Sequence, residues 1–242
     1  MEVDATQFQL ARCQATVWTP PQHFSVLRVV RTLPEIVCRH FPRDPEVLPH
    51  VEGIPPDVPR LVSTSDDRQW RLEFAPARVN LYWTMPDDYA TDFTIRKFAD
   101  LAIPMILGCV ESSGGVVQRA ATVAVRYSKH DQPGRFLAQH FCKPDLLSKP
   151  FNRPESFELH AHKTYHVIPN RPTNSWVRCK SAMLTARQEA FPVVVVEQDI
   201  NTAAESTEPL SRPETQAFFE AATVALDAIL NLYFPAAERS DA

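Results

Sequence analysis

The sequence predicts an α+β fold, a mostly antiparallel sheet covered by helices. Three observations carry this expectation. Short alternating strand patterns outnumber helical ones, and several are joined by tight connections, as antiparallel strands are. Glycine is scarce and proline abundant, 5 against 22 in 242 residues, which argues against the glycine-rich turns of nucleotide-binding parallel sheets. A capped amphipathic helix closes the chain after a run of strands instead of alternating with them.

Residues 7–18 (QFQLARCQATVW) alternate and read as a first strand. Thr19-Pro20-Pro21 marks a helix start, with Phe24, Leu27, Val30 and Leu33 at helical spacing; Pro34 breaks that helix, and Ile36-Val37 carry its apolar stripe on to His40. Phe41 to Pro59 holds six prolines and reads as an extended connection. Residues 69–74 and 78–83 alternate on either side of Ala75-Pro76-Ala77, a hairpin. A second helix spans about Asp92 to Glu111, burying Ile95, Phe98, Ala102, Met105, Ile106 and Cys109, with a kink at Pro104 and Gly114 as its C-terminal cap. Val116–Tyr127, Arg135–Phe141, Phe157–Ile168, Trp176–Arg187 and Val193–Ile200 read as strands. Ser211-Arg212-Pro213-Glu214 is a capping box; Phe218, Ala222, Leu226, Ile229 and Tyr233 then form one stripe until Pro235. The predicted order is β-α-β-β-α-β, then antiparallel strands, then a helix, in a single domain over 1–242 or in two lobes, 1–113 and 114–242.

The order of elements, Phe41-Pro42 after the first helix, Ser63-Thr64-Ser65-Asp66-Asp67 before a strand hairpin, Val123-Ala124-Val125-Arg126-Tyr127, and the closing Gln198-Asp199-Ile200 strand with its helix resemble a sporadically distributed, uncharacterised bacterial protein family. Ser128 stands where that family usually has asparagine, and the closing strand carries one acid where two are frequent. The resemblance implies a bacterial, accessory-type protein and no particular activity, cofactor or catalytic residue. The N-terminus lacks the basic and apolar regions of a signal peptide, no run approaches a membrane span, and the five cysteines are scattered singly, so a cytoplasmic location is expected.

Charge is segregated along the chain. Residues 1–113 hold 11 Lys/Arg against 15 Asp/Glu, residues 114–187 hold 12 against 4, and residues 188–242 hold 2 against 10. Either the acidic end folds over the basic middle and neutralises it, or the middle presents an anion-binding surface. Arg126, Lys129, Arg178, Lys180, His160, His162 and His166 are the candidate residues of such a basic sheet face.

The stretch FELHAHKTYHVI (157–168) concentrates three of the chain's eight histidines on one side of a strand. His160 and His162 stand roughly 6.5 Å apart along it, close enough to share a metal with Glu158 or a neighbouring strand as third ligand, whereas His166 lies roughly 13 Å beyond His162. A hairpin across a Pro169–Ser175 loop brings Arg178 and Lys180 near His166 and Thr164, and sets Ala182 and Leu184 against His162 and His160, a basic rather than ligand-rich setting. The pairs Cys38/His40 and His140/Cys142 match no familiar zinc spacing, and the Asp66-Asp67 and Asp87-Asp88 pairs fall at turns.

These features lead to an expected function: a non-catalytic binding or adaptor protein whose basic sheet face contacts an acidic protein partner. One alternative is a nucleic-acid-binding accessory protein, in a bacterial defence or mobile-element setting; another is a metal-dependent hydrolase centred on His160 and His162. No cofactor and no membrane is called for, and an exposed strand edge offers a route to self-association.

Overall fold

The computed structural model describes residues 3–20, 26–49, 53–86, 92–147, 154–186, 189–205 and 208–236. In chain order it contains β1 (Gln9–Trp18), α1 (Val26–Arg31), α2 (Glu35–His40), β2 (Glu46–Val47), β3 (Leu61–Thr64), β4 (Trp70–Ala75), β5 (Arg78–Thr84), α3 (Ile95–Ser113), β6 (Arg119–Lys129), α4 (Pro133–Phe141), β7 (Glu158–Ile168), β8 (Arg171–Ala186), β9 (Glu189–Thr202) and α5 (Arg212–Tyr233). The strands form one antiparallel sheet in the order β2-β3-β4-β5-β1-β6-β9-β8-β7, so the α+β expectation holds. The first strand of the chain lies in the interior of the sheet, joining β5 to β6.

Local signals place the main helices. Thr94 caps α3, its hydroxyl accepting from Lys97 N at 3.2 Å, and Gly114 ends it with φ 67°, a conformation glycine adopts without a Cβ penalty. All six predicted core residues of α3 are buried. In α5 the capping box is formed, with Ser211 N donating to Glu214 Oε2 at 2.8 Å and Glu214 N donating to Ser211 Oγ at 3.3 Å. Pro34 separates α1 from α2 as predicted, but Val29 faces the core and Val30 is exposed, while Phe24 lies outside the described residues.

Three expectations about elements need correction. Residues 135–141 belong to α4, not to a strand: Phe136, Leu137 and Ala138 are consecutive buried residues behind Pro133 at the helix start, a pattern that alternation cannot produce. The extended 41–59 connection contributes β2, and Leu61–Thr64 adds β3, both too short to stand out by periodicity. The β7–β8 connection is the two-residue turn Pro169-Asn170, with Asn170 at φ 59°, and β8 already starts at Arg171. Asparagine tolerates that left-handed conformation, and Pro172 is accommodated next to a register irregularity between His166 and Ile168. The predicted order of elements is therefore not confirmed: two further strands precede the β4–β5 hairpin, and a helix stands where a strand was expected.

All five helices pack on one side of the sheet. Alternation turns Cys13, Ala15 and Val17 of β1, Leu72 and Phe74 of β4, Val79, Leu81 and Trp83 of β5, and Ala120 and Ala124 of β6 toward α3 and α5 in one core, with Trp70 stacked on Phe98 (centroids 5.6 Å apart). Val177, Cys179, Val194 and Val196 of β8 and β9 meet Phe136 and Leu137 of α4 and Leu230 and Phe234 at the end of α5 in a second core. Among the described residues no helix covers the opposite side, called here the open face, and none is long and apolar enough to cross a membrane.

One polar cluster sits inside the helix side. Arg126, 4% exposed, donates to Gln198 of β9 and to Asp227 of α5, and Gln198 donates from Nε2 to the Leu226 carbonyl at 2.8 Å. Burial pushes the guanidinium pKa down against the pull of Asp227, so its charge is tolerated only because its partners are in place. Asp227→Ala is expected to lower unfolding free energy by about 2–3 kcal/mol, the cost of stripping a charged partner from a desolvated guanidinium. Urea unfolding measures this; a loss no larger than that of a neutral surface substitution would show that Arg126 finds other partners.

Candidate functional site

The open face is built from odd residues of β6 and β9 and even residues of β7 and β8, and the registers arrange them in rows. One row runs Arg12 (β1), Val125 (β6), Glu197 (β9), Arg178 (β8), His160 (β7); the next runs Gln14, Val123, Asp199, Trp176, His162; a third runs Thr16, Ala121, Asn201, Asn174, Thr164. Trp176 is 47% exposed although it stands on an interior strand, because among the described residues no helix covers this side of the sheet. His162 stacks on it with ring centroids 4.0 Å apart. Lys180 faces Glu158, not Thr164, and Arg178 faces His160, not His166: the short Pro169-Asn170 turn shifts the hairpin register from that expected across a seven-residue loop.

Two depressions adjoin on this face. One, of about 320 Å³, is lined by His160, Trp176, Arg178, Glu197 and Asp199. The other, of about 410 Å³, has a Val125 and Val195 floor with Arg12, Lys180 and Glu197 around it. A larger depression, about 680 Å³, lies elsewhere, between the start of α4 and Ser181–Met183. Its walls combine prolines and small residues with Asp131, Arg135 and Glu155, without the exposed aromatic ring that the open-face pair has in Trp176.

Glu158 organises the histidine end. Its Oε1 lies 2.8 Å from His160 Nε2 and 3.3 Å from Arg178 Nε, and His160 Nε2 and Arg178 Nε approach to 3.0 Å. A single ring nitrogen cannot donate to the carboxylate and accept from the guanidinium at once; both groups aimed at the same oxygen satisfies the charges best. The His160 hydrogen bond, with the nearby Arg178 and Lys180 charges, holds the Glu158 carboxyl below the usual carboxylate range. His162 is turned to Asn174, 3.2 Å from Nε2 to Oδ1, and the amides continue inward: Asn174 Nδ2 donates to Asn201 Oδ1 (3.4 Å), and Asn201 Nδ2 to Asp199 Oδ1 (3.0 Å). Glu158, His160 and His162 thus share a face but not a point, with the Arg178 cation drawn in among them. Among the described residues no three His, Cys, Asp or Glu side chains converge as a metal site would require.

The predicted basic face is divided by the structure. Arg178, Lys180, His160, His162 and His166 lie on the open face, and Lys129 places its ammonium 4.2 Å from the Phe191 ring centroid. Arg126, three residues from Lys129 in the same strand, lies on the opposite side, because an odd spacing in a strand reverses the side chain. Arg171 likewise turns to the C-terminal acids, donating to Glu214 Oε1 at 3.2 Å and to the Glu208 carbonyl at 3.0 Å. The acidic segment 188–242 therefore meets the basic middle on both sides: Asp227 and Glu214 reach Arg126 and Arg171 on the helix side, and Glu197 and Asp199 stand beside Arg178 and Trp176 on the open face.

The other candidates have structural roles. His140 donates from Nε2 to the Tyr233 carbonyl at 2.7 Å and stacks on Phe234. His40 sits edge-on to Trp70, burial pushing its pKa down. All five cysteines are free. Asp67 accepts from Ser65 Oγ and Gln69 N within its turn, as its setting predicts, and Asp87-Asp88 lie outside the described residues.

Sequence reasoning missed Arg12, Glu197, Asp199, Asn174 and Asn201 as parts of this face. Their parity is readable in each strand; that β1, β6, β9 and β8 are neighbours is not. Asp199 stands out chemically. It is half-buried, it accepts a hydrogen bond from Asn201, and burial, with Glu197 beside it, pushes its carboxyl above the ordinary range. A raised folded-state pKa means that the folded chain holds this proton more tightly than the unfolded one, so ionisation weakens the fold at neutral pH. Asp199→Asn is expected to raise the thermal midpoint at neutral pH. The gain should shrink as pH falls toward the 3.8 of an unperturbed aspartate, where both states are protonated. A midpoint lowered at neutral pH would show that the carboxylate is stabilising.

No protein-family model matches the chain, and no curated protein matches it.

Proposed function

We propose that this is a binding or adaptor protein without a reaction of its own, and that its open sheet face takes an acidic protein partner. The observation that carries the reading is Trp176, exposed on an interior strand beside Arg178, in a depression that adjoins the groove lined by Arg12 and Lys180. Tryptophan and arginine dominate protein–protein hot spots because each delivers a large contact area with directed polar groups. The apolar floor of Val125 and Val195 supplies area to bury, and Arg12, Lys129 and Lys180 supply attraction for carboxylates. Glu197 and Asp199 give the partner positions for donors of its own, which favours a protein surface over a uniform polyanion. The resemblance to an uncharacterised bacterial family adds a bacterial, accessory setting to this reading.

A nucleic-acid partner is the second reading, favoured by the His162–Trp176 stack next to Arg178 and Lys180, since stacked rings and cations on a sheet bind single strands. Glu158, Glu197 and Asp199 in the same rows oppose it by repelling phosphates.

Trp176→Ala combined with Arg178→Glu tests both readings. The Trp176 change alone is expected to leave the thermal midpoint close to that of the parent, because the ring is half exposed, and to weaken the partner by about 2 kcal/mol, roughly thirtyfold. Quantitative co-purification from the native cell, with and without nuclease, reads the result. A protein retained through nuclease treatment and lost with the double variant is the expected outcome. Retention by parent and variant alike would overturn the face, and binding to single-stranded nucleic acid that falls steeply with salt would replace the first reading by the second.

A further inference from the structure

The sheet ends on two unlike edges. On one side stands β2, two residues long and set among Pro42, Pro45 and Pro49, a blunted edge. On the other stands β7, eleven residues long, paired among the described residues only with β8, and exposed at six of its positions. We propose that β7 pairs antiparallel with β7 of a second copy about a two-fold axis through His162, joining two nine-stranded sheets into one.

Such an axis must stand perpendicular to the sheet, so residues facing across the seam lie on the same side of both copies, and the sum of paired residue numbers is even. Three registers deserve comparison, and the side chains of β7 separate them. Centred on Lys163, the strand sets Lys163 against its own copy on the helix side, a like-charge contact. Centred on Ala161, it sets His160 against His162 and Leu159 against Lys163. Centred on His162, it sets His162 against its own copy, two flat rings that can stack, and pairs His160 with Thr164, Glu158 with His166, Leu159 with Tyr165, Phe157 with Val167 and Lys163 with Ala161, each of these pairs twice. Only this last register matches opposite charge with imidazole and apolar with apolar, and it gives the lysine stem a small residue to lie over. Lys163 already leans along its own strand, its ammonium 5.7 Å from the Tyr165 ring centroid, so it leaves the edge clear and selects a register instead of blocking one.

A lone strand pair buries less than the roughly 1,200 Å² total of a stable interface. Here the helix side adds to it. Between β7 and α5 lies an apolar shelf of about 370 Å³ formed by Ala161, Tyr165, Ala228, Ile229, Leu232 and the Lys163 stem, and Leu232 is 76% exposed. The His162 axis puts the two shelves side by side, so each copy offers the other an apolar surface that its own α5 leaves uncovered. The open faces become continuous across the seam.

Sedimentation velocity is expected to show a species at twice the 27.4 kDa chain mass. Ala161→Lys and Ala161→Glu then ask the same position opposite questions. Lysine at 161 faces Lys163 of the second copy twice and is expected to give monomer; glutamate at 161 faces the same lysines and is expected to keep the dimer. Loss with both variants, or with neither, would overturn the register, and thermal midpoints alike in the two variants exclude a folding defect as the cause. On a Cys38→Ser background, which removes the exposed thiol, His162→Cys is expected to cross-link to itself under mild oxidation, and Lys163→Cys is not. Cross-linking at 163 alone would move the axis to the rejected register. A parent chain that sediments as monomer at every concentration would end the proposal, while leaving the open-face reading, which needs no second copy, untouched.

Discussion

A guanidinium held in the core of the sheet's helix side organises the molecule. Arg126 cannot be left there without partners, since the cost of desolvating a lone charge exceeds what most single contacts return. Its two partners come from different elements, Gln198 on the adjacent strand and Asp227 on the closing helix. Gln198, fully buried, also donates to the Leu226 carbonyl, one residue before Asp227. Any slip of β9 against β6 by one residue would turn Gln198 to the open face, and any rotation of α5 would withdraw Asp227. Apolar packing would tolerate several such shifts at small cost; the hydrogen-bonded charge does not. It selects one register and one helix orientation from among those the hydrophobic effect alone leaves nearly equal.

From that orientation the asymmetry of the two sides follows. With α5 tied to β6 and β9 through Arg126 and Gln198 and its last turn packed on α4, the helix reaches across to β7, and Leu232 is left exposed beside that strand. The open face, for its part, is not an ordinary solvent-facing side. Asn80 and Glu73 are buried on it, linked through Asn80 Nδ2 donating to Glu73 Oε2 at 3.4 Å, and Thr16 Oγ1 donates to Asn80 Oδ1 at 2.9 Å. Burial and the Glu73 carboxylate push the neighbouring Tyr82 hydroxyl up to about 12. A face that only had to dissolve would keep its carboxylates in water. Half-buried acids between valines and an uncovered tryptophan fit a surface shaped for contact.

The parts legible in the sequence were those decided locally. The capping box opening α5, Gly114 closing α3, the Ala75-Pro76-Ala77 hairpin and the break at Pro34 each depend on a few adjacent residues whose conformational preferences do not need the rest of the chain. The parts not legible depended on partners far away in sequence. Strand β1 sits between β5 and β6, more than sixty residues downstream, and no pattern within β1 announces it. Residues 135–141 fit either element by composition until the cores of β8 and β9 supply the surface that Phe136 and Leu137 cover. The charge count was misleading for the same reason. A balance taken along the chain sums both sides of each strand, so Arg126 and Arg178 were grouped although the sheet separates them. Asn170 is a local signal of a different kind: a residue suited to positive φ two positions after Ile168 marks a two-residue turn, but the pairing of Arg178 with His160 also depends on the irregularity between His166 and Ile168, which shifts the register by one residue and has no local signature.

That pairing also explains the three histidines. At positions 160, 162 and 166 they occupy one side of an edge strand, where a side chain must be polar enough to stay wet yet flat enough to pack on its neighbour. His160 joins an acid–base cluster with Glu158 and Arg178, His162 covers one side of Trp176, and His166 lies opposite Pro172, where β8 offers no charge. Imidazole meets each of these demands with one shape, as cation partner, stacking plate and exposed polar group, and none of the three uses requires the others. Clustering in sequence here reflects a shared position in the sheet. A common ligand would have required the three side chains to converge, and the rise of a strand keeps them apart.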